Sequence, residues 1–420
     1  MAYRNSDTAV TLQAAIDGDL RLLKEMGSKV NLREAKDAKG RTALHFAAVT
    51  GHLDVCRFLV EESGFDVNSV SAEGRLPIHS AAAGGSESVL RYLLDHGGDP
   101  VALDSKRSTP LHDAAELGRH EAVRLLLSRG VHVDPINYTG TPLHLAASQC
   151  KDLAVKILLE HGADPNRVVN HIFTPLFMAA CVGQSLECTK LLVEAGADVN
   201  FTCPWGPVIL MEAVDDRLTD IVKFLLEAGA DPNIANEDGK VPIIWAGGHG
   251  NRELVEILFP RTKPIPSIPD WSVDGIIRAT KYLHLEAQDA ALVRKRIADA
   301  KSLGKEAFAK GEYFAAIHYY GLALDKDTCD ATLFANMSLC WLRMSEGEHA
   351  LSDARKCKMM RPGWSKAWYR EGAALSLLKN YKGAIDAFMQ ALKLDPTSDE
   401  IEKALRETME AVRSAVRSEQ

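Results

Sequence analysis

Several features of common protein classes are missing from this sequence, and each absence excludes a class. No run of about 18 apolar residues occurs in the 420 residues, so we expect no membrane-spanning helix and no integral membrane association. The first ten residues, MAYRNSDTAV, lack the apolar stretch of a secretory signal. The eight cysteines form no CxxC pair and no metal-ligand spacing. This pattern predicts reduced thiols, a cytoplasmic location with nuclear residence left open, and no metal or other cofactor.

A surplus of positive charge is also missing. Lysine and arginine number 49 against 57 acidic residues, and the net charge is −8. Residues 1–270 hold 26 basic and 36 acidic side chains, whereas residues 271–420 hold 23 and 21. Because nonspecific binding to nucleic acid requires a basic face, we expect no nucleic-acid partner. The acidic first part favours protein partners that are basic or neutral where they touch it.

Internal repetition is the feature that the sequence does have. A tetrapeptide returns every 32 to 34 residues: TALH at 42–45, LPIH at 76–79, TPLH at 109–112 and 141–144, and weaker copies at 174–177, 207–210 and 241–244. Each copy continues through small residues, a glycine, an apolar helical stretch and a turn such as GADPN at 162–166. The pattern resembles the ankyrin repeat. This resemblance implies a solenoid of helix pairs with hairpin-like turns over residues 1–260, with a degenerate N-terminal cap and about seven repeats.

A second period, of 34 residues, begins near residue 297. Small residues recur at matching positions, in the columns Gly304, Ser338 and Gly372; Ala316, Ala350 and Ala384; and Ala323, Cys357 and Ala391. Small side chains at fixed positions let paired helices pack closely, and the pattern resembles three tetratricopeptide (TPR) repeats at 297–396. With a C-terminal capping helix at 397–420, the resemblance implies an all-α fold class: an ankyrin solenoid followed by a TPR solenoid.

The stretch between the two arrays is rich in proline. PRTKPIPSIPDW at 260–271 predicts a stiff extended linker at 261–275, followed by a connecting helix at 276–296. Trp245 and Phe259 lie in the last ankyrin unit, where they either cap that array or dock the following helix. We favour capping, because the end of a solenoid must cover its apolar face.

No motif of a catalytic site is present: neither GxxxxGK[ST] nor HExxH nor GxSxG occurs. Four histidines, His45, His79, His112 and His144, occupy one repeated position at a predicted helix start. A shared structural hydrogen bond explains them better than a metal site, because the repeats hold them too far apart to ligate one ion. The sequence therefore predicts a protein that is not an enzyme.

Five side chains of the TPR repeats form the sharpest candidate site. They lie on the predicted first helix of each repeat: Lys301 and Lys305, then Asn336, then Lys366 and Arg370. First helices line the concave groove of a TPR array, so we expect these donors on one surface without adjacent carboxylates. Such a set suits a carboxylate ligand, through charge-assisted hydrogen bonds.

The segments KSLG at 301–304, FANMS at 334–338 and WSKAWYREGAA at 364–374 resemble the carboxylate-clamp TPR repeats of heat-shock co-chaperones. The resemblance implies that Lys301, Asn336, Lys366 and Arg370 bind the C-terminal Asp of an EEVD tail. Lys305 stands where that family has Asn, which leaves the affinity and the class of chaperone open. The alternative is that these cations are ordinary solvated helix faces.

The order of ankyrin array, Pro-rich linker and three TPR repeats resembles plant ankyrin–TPR proteins. Three aromatic residues near the predicted finger tips, Tyr138, Phe173 and Trp205, are candidates to anchor an ankyrin partner. Packing between adjacent fingers is an equally good explanation of each. Fold does not identify the partner.

We expect a non-catalytic adaptor that binds a chaperone tail through its TPR repeats and an unknown client through its ankyrin repeats. A signalling or transcriptional scaffold without chaperone binding is the alternative, and a delivery factor for organelle-targeted clients is a weaker one. The sequence leaves the client and the oligomeric state open.

Overall fold

The computed structural model describes residues 7–169, 173–202, 209–236, 239–283, 290–326 and 330–417. Within these ranges the secondary structure is helical, without a strand, and two isolated β-bridges join Lys36 to Thr42 and Val169 to Phe173. The predicted all-α class is confirmed. The chain separates into two compact units, which we call the N-terminal unit (Met1–Glu286) and the C-terminal unit (Ala287–Gln420).

The helices of the N-terminal unit follow one another in short pairs. They are α1 Asp7–Asp17 and α2 Leu20–Gly27; α3 Ala43–Thr50 and α4 Leu53–Arg57; α5 Pro77–Gly84 and α6 Glu87–Asp95; α7 Pro110–Glu116 and α8 His120–Ser128; α9 Pro142–Ser148 and α10 Asp152–Glu160; α11 Pro175–Phe177 and α12 Leu186–Glu194; α13 Ile209–Asp215 and α14 Thr219–Glu227; α15 Pro242–Gly248 and α16 Arg252–Leu258; and α17 Val273–Leu283. Two of them continue as π-helices, α4 through Phe58–Glu62 and α11 through Met178–Val182. Short 3₁₀ turns cover Leu32–Glu34 and Phe259–Arg261.

The repeated Thr-Pro-Leu-His motif determines where the first helix of a pair begins. In α9, Pro142 takes the first helical position, where its missing N–H costs no hydrogen bond. The Thr141 hydroxyl lies 2.8 Å from Nδ1 of His144, so threonine and histidine together cap the helix start. Several first helices then end at a glycine with positive φ, such as Gly51 at 86°, a conformation that glycine adopts without strain.

Pairs of small residues let successive first helices approach each other. Ala114 and Ala115 of α7 are fully buried, and α7 packs against both α5 and α9. Second helices bury leucine and valine from the same repeat, including Leu126 of α8 and Leu158 of α10. Each repeat therefore covers the apolar face of its neighbours, and the array needs a cover at its end.

Helix α17 provides such a cover, and it begins at Val273, near the end of the linker predicted at 261–275. It packs against α15 and α16, with Ile276 and Thr280 buried over Gly247, where an added Cβ would collide with the Thr280 hydroxyl. The rings of Phe259 and Trp271 stack with centroids 5.8 Å apart. Phe259 therefore contacts the segment that leads into α17, as the docking alternative predicted.

The connecting helix predicted at 276–296 includes residues 284–289, which lie outside the described residues. Its first part belongs to α17 of the N-terminal unit, and the next helix begins at Ala290.

The described residues of the C-terminal unit form seven longer helices. They are α18 Ala290–Lys310, α19 Tyr313–Lys326, α20 Ala331–Arg343, α21 Gly347–Met360, α22 Ser365–Leu377, α23 Tyr381–Leu394 and α24 Asp399–Arg417. Each helix packs on the next in the chain, which gives three helix pairs followed by α24. Ile401 and Thr408 of α24 are buried where this helix packs on α23.

The small residues of the 34-residue period lie where the helices of a pair come closest. A Cβ on Gly372 would lie 2.7 Å from the ring of Phe388, and Ala350 and Ala384 are fully buried. In the middle pair the Ser338 hydroxyl donates to the carbonyl of Ala350 at 2.8 Å. These contacts place α18, α20 and α22 as the first helices of three repeats, and these helices carry the candidate site.

Candidate functional site: a cationic face on α18, α20 and α22

The predicted site residues lie on the first helices, as the 34-residue period implies. We call this set the clamp face: Lys301 and Lys305 on α18, Asn336 on α20, and Lys366 and Arg370 on α22. Its members differ sharply in burial and in the partners that they have.

Arg370 is the most unusual of them. The residue is only 7% exposed, and its Nε atom is buried without a hydrogen-bond partner among the described residues. Its guanidinium lies 5.4 Å from the ring centroid of Tyr369. Burial lowers the pKa of Arg370 from its ordinary value, although Tyr369 and Glu400 oppose that change. Burying a cation is costly unless its donors are paired, so an anionic ligand at the unpaired Nε would stabilise it.

Lys366 lies one turn before Arg370 on α22. It is exposed and forms no ion pair among the described residues. Its charge acts on the buried thiol of Cys357, but burial raises the pKa of that thiol to about 11 despite Arg361, Arg370 and Lys366. Cys357 is therefore protonated at neutral pH and cannot serve as a counterion to these cations.

Two further donors lie on α20. Asn336 is half-buried, and its amide makes no hydrogen bond within the described ranges. Arg343 follows two turns later and lies close enough to Arg370 to lower the pKa of that group. The sequence analysis missed Arg343, although its spacing of seven residues from Asn336 places both on one side of the helix.

The expectation that no carboxylate lies beside these donors is wrong for Lys301. Its Nζ donates to Oδ2 of Asp330 at 2.7 Å, and the pair is partly buried, with side-chain exposures of 30% and 16%. Asp330 precedes α20, and its Oδ1 accepts from the N–H of Thr332 at 2.8 Å. Lys305, by contrast, is exposed and has no hydrogen bond or ion pair within the described part of the chain.

The aromatic candidates of the N-terminal unit give a mixed result. Phe173 is 6% exposed, and its ring packs against Phe177 with centroids 5.7 Å apart; the prediction that it anchors a partner is therefore wrong. Its backbone pairs with Val169, which draws the side chain into the core. Tyr138 is half-buried and remains a candidate. Trp205 lies outside the described residues.

The four repeated histidines have the predicted structural role. In His112, Nδ1 accepts from the N–H of Thr109 at 3.0 Å, so the proton is on Nε2, which donates to the carbonyl of Gly140 at 3.2 Å. His45, His79 and His144 bridge to the following repeat in the same way. No group of residues suited to a metal ion is found in the described ranges. None of the helices searched there is long and apolar enough to cross a membrane.

Comparison with protein families identifies both repeat types. The family model "Ankyrin repeats (3 copies)" matches five overlapping segments, 11–104, 63–137, 99–169, 134–203 and 176–268, which together cover more than half of the chain. The model "Tetratricopeptide repeat" matches residues 365–398, within the third helix pair of the C-terminal unit. The predicted resemblance to ankyrin and TPR repeats is confirmed, and both repeats are protein-interaction modules.

Curated relatives of the TPR repeats include proteins of chaperone systems. The chain is 34% identical over 108 residues to "Heat shock protein sti1 homolog" of Schizosaccharomyces pombe, covering 26% of this chain and 18% of that protein. It is 29% identical over 121 residues to "Hsp70-Hsp90 organizing protein" of Triticum aestivum, covering 29% of this chain and 21% of that protein. The chain thus spans about a fifth of the length of these relatives. The predicted resemblance to plant ankyrin–TPR proteins in overall layout stays a prediction.

One solved structure is similar to the ankyrin repeats. The human ASB11 ankyrin repeat domain is 29% identical, with a TM-score of 0.48, and the match covers 53% of this chain and 98% of that one.

Proposed function

This chain belongs to the ankyrin-repeat family, and from that premise we propose that it is a non-catalytic adaptor with two protein-binding units. The C-terminal unit binds the free C-terminal carboxylate of an acidic chaperone tail of the EEVD type. The N-terminal unit binds a client or regulatory protein. Adaptor activity of this kind requires no cofactor, and we place it in the cytoplasm, with nuclear residence left open.

One observation carries the proposal for the C-terminal unit: the guanidinium of Arg370 is buried and its Nε has no partner among the described residues. Folding has therefore removed the Nε–H donor from water without supplying an acceptor among the described residues. A terminal carboxylate is a planar anion that a guanidinium binds through two hydrogen bonds. The names of the relatives, which refer to Hsp70 and Hsp90, support a chaperone tail as the source of that carboxylate.

The neighbouring donors suit the rest of such a tail. Lys366 supplies a second cation one turn away, and Asn336 supplies an amide donor from α20. Arg343, close to Arg370, adds charge that favours acidic residues preceding the terminus. Cys357 is held protonated by burial, so this thiol does not compete with the ligand for these three cations.

The experiment is a calorimetric titration of the full chain with a peptide ending in EEVD, as the free acid and as the C-terminal amide. We expect the amide to bind far more weakly, because it lacks the charge that these donors recognise. Lys366→Ala and Arg370→Met should each weaken binding of the free-acid peptide by about 10- to 150-fold, since a hydrogen bond to a charged group contributes about 1.5–3 kcal/mol.

Lys403→Ala is the matched control, because Lys403 is exposed on α24 and pairs with Glu407 at 3.8 Å. Its affinity for the free acid should equal that of the wild type. If the folded wild-type chain binds neither peptide, or binds both equally, the chaperone-adaptor function is wrong. The scaffold alternative, in which the TPR repeats bind a partner without a free terminus, would then stand.

A further inference from the structure

We propose that Lys305, and not Lys301, supplies the first-repeat cation of the carboxylate site, because Asp330 holds Lys301 in a structural ion pair. This inference rests on the proposed function above and assigns the charge within the same site. It also gives Lys305 a role in ligand binding at the position where the co-chaperone family has Asn.

Lys301 has a structural partner on the following repeat. Its Nζ lies 2.7 Å from Oδ2 of Asp330, while the other oxygen of Asp330 accepts from Thr332 at the start of α20. Burial alone would raise the pKa of Asp330, but the hydrogen bonds from Lys301 and Thr332 lower it below its ordinary value. Asp330 is therefore ionised at neutral pH, and one carboxylate both caps α20 and ties it to α18.

This pair changes what a ligand would meet at Lys301. A carboxylate that approached Nζ of Lys301 would also approach the negative charge of Asp330, so attraction and repulsion would largely cancel. If Lys301 moved to the ligand instead, Asp330 would lose its cation while still partly buried, which is unfavourable. Both routes make Lys301 a poor contributor to the binding of an anion.

Lys305 has neither restriction. It lies four residues after Lys301 on α18, and residues at this spacing share one side of a helix. The side chain is exposed and makes no hydrogen bond or ion pair in the described ranges. A lysine offers a full charge and no acceptor, so it favours an anionic group where an asparagine would accept neutral polar ones.

The test compares three substitutions in the full chain, titrated with the free-acid EEVD peptide. Lys305→Gln should weaken binding by about ten-fold or more, as expected for a charge-assisted hydrogen bond. Lys301→Gln should change it by less than about three-fold, as expected for a cation that is already compensated. Asp330→Asn should tighten binding, because asparagine also caps a helix but leaves the charge of Lys301 uncompensated. Lys310→Gln, on α18 beside Glu306 at 2.8 Å, is the matched control and should bind like the wild type.

The assignment is overturned if Lys301→Gln weakens binding as much as Lys305→Gln does, or if Lys305→Gln binds like the wild type. If circular dichroism shows that Lys301→Gln is unfolded, Asp330→Asn decides, and an unchanged or weaker affinity contradicts the proposal. Failure of the function itself looks different: the wild type would not distinguish the free acid from the amide. The two failures are therefore separable.

Discussion

Two buried polar side chains, His112 of the N-terminal unit and Arg370 of the C-terminal unit, differ in whether they have hydrogen-bond partners. In the N-terminal unit both ring nitrogens of His112 are bonded, to Thr109 and to the carbonyl of Gly140 in the next repeat. In the C-terminal unit the Nε of Arg370 is buried without a partner among the described residues. The first arrangement stabilises a stack of repeats, whereas the second leaves binding capacity available to a ligand.

A second set of contacts in the N-terminal unit follows the same rule. Asn200 donates to the carbonyl of Gly229 at 3.0 Å and accepts from the N–H of Asp231 at 2.8 Å. Equivalent contacts join three other repeat boundaries, at Asn68, Asn166 and Asn233. Polar side chains that recur with the repeat period thus connect repeats, and a polar group that breaks this rule is a candidate for binding.

The largest expected effect is that lowering the pH destabilises the N-terminal unit more than the C-terminal unit. Burial lowers the pKa of His79, His112 and His144 to about 4, against about 6.5 when unfolded. The unfolded chain then binds more protons, so stability falls as the pH drops from about 6.5 towards about 4, by about 2 kcal/mol per histidine at pH 5. Burial raises the pKa of Asp113 against the opposing effect of its ion pair with Arg75, and this raised pKa offsets part of the loss.

The C-terminal unit contains one described histidine with such a shift, His318, whose pKa burial lowers to about 4. Scanning calorimetry of the full chain at pH 7 and pH 5 should therefore show a larger loss of stability for the N-terminal transition. Equal shifts of both transitions would contradict the comparison.

Removal of one bridging imidazole should have the next largest effect. His112→Ala leaves the carbonyl of Gly140 and the N–H of Thr109 without their partner inside the array. We expect the N-terminal unit to lose about 3 kcal/mol in urea unfolding. His120→Ala is the control, because that imidazole is 46% exposed, and it should cost less than about 0.5 kcal/mol. A loss as small for His112→Ala as for the control would mean that the bridge contributes nothing.

A larger side chain at Ala350 tests packing in the C-terminal unit. Ala350 is fully buried, and its carbonyl accepts from Ser338 of the paired helix. Ala350→Leu should destabilise this unit by about 1–3 kcal/mol through overpacking. Ala309→Leu, on the exposed side of α18, should be close to neutral. Hydrogen exchange of the full chain would assign the loss, and an equal loss in both units would contradict their independence.

The smallest expected effect on stability is a gain and not a loss. Arg370→Met replaces a buried guanidinium, which has no ion pair among the described residues, by an apolar side chain of similar length. The C-terminal unit should therefore be unchanged or more stable by about 1 kcal/mol. The same substitution is expected to impair peptide binding. Arg406→Met, at an exposed position of α24, should change neither property. A loss above about 2 kcal/mol on Arg370→Met would show that the guanidinium is structural.

The sequence predicted those parts of the structure that repeat. The period located the helix pairs, the capping histidines and the small residues at close approaches, because each is a local consequence of residue type at a fixed spacing. The contact partners of individual residues were harder to predict from the sequence. Asp330 is separated from Lys301 by 29 residues, and only the packing of α18 beside the start of α20 brings their side chains together.

Two other differences have the same origin. Phe173 resembled an exposed aromatic residue at a turn, but a bridge to Val169 that no motif specifies directs it into the core. The cover of the N-terminal unit was assigned to Trp245 and Phe259, whereas the residues from 276 onwards were assigned to a connecting helix. In the structure, Ile276 and Thr280 of α17 pack on Gly247 and cover the end of the array.

The most direct test of the account is the Nε–H resonance of Arg370 in ¹⁵N NMR spectra of the full chain, assigned by its loss in Arg370→Met. On saturation with the free-acid EEVD peptide we predict that this resonance shifts and that its exchange with water slows. The amidated peptide should leave it unchanged. If the free-acid peptide binds while the Arg370 resonance stays where it was, the buried guanidinium is not the group that receives the carboxylate.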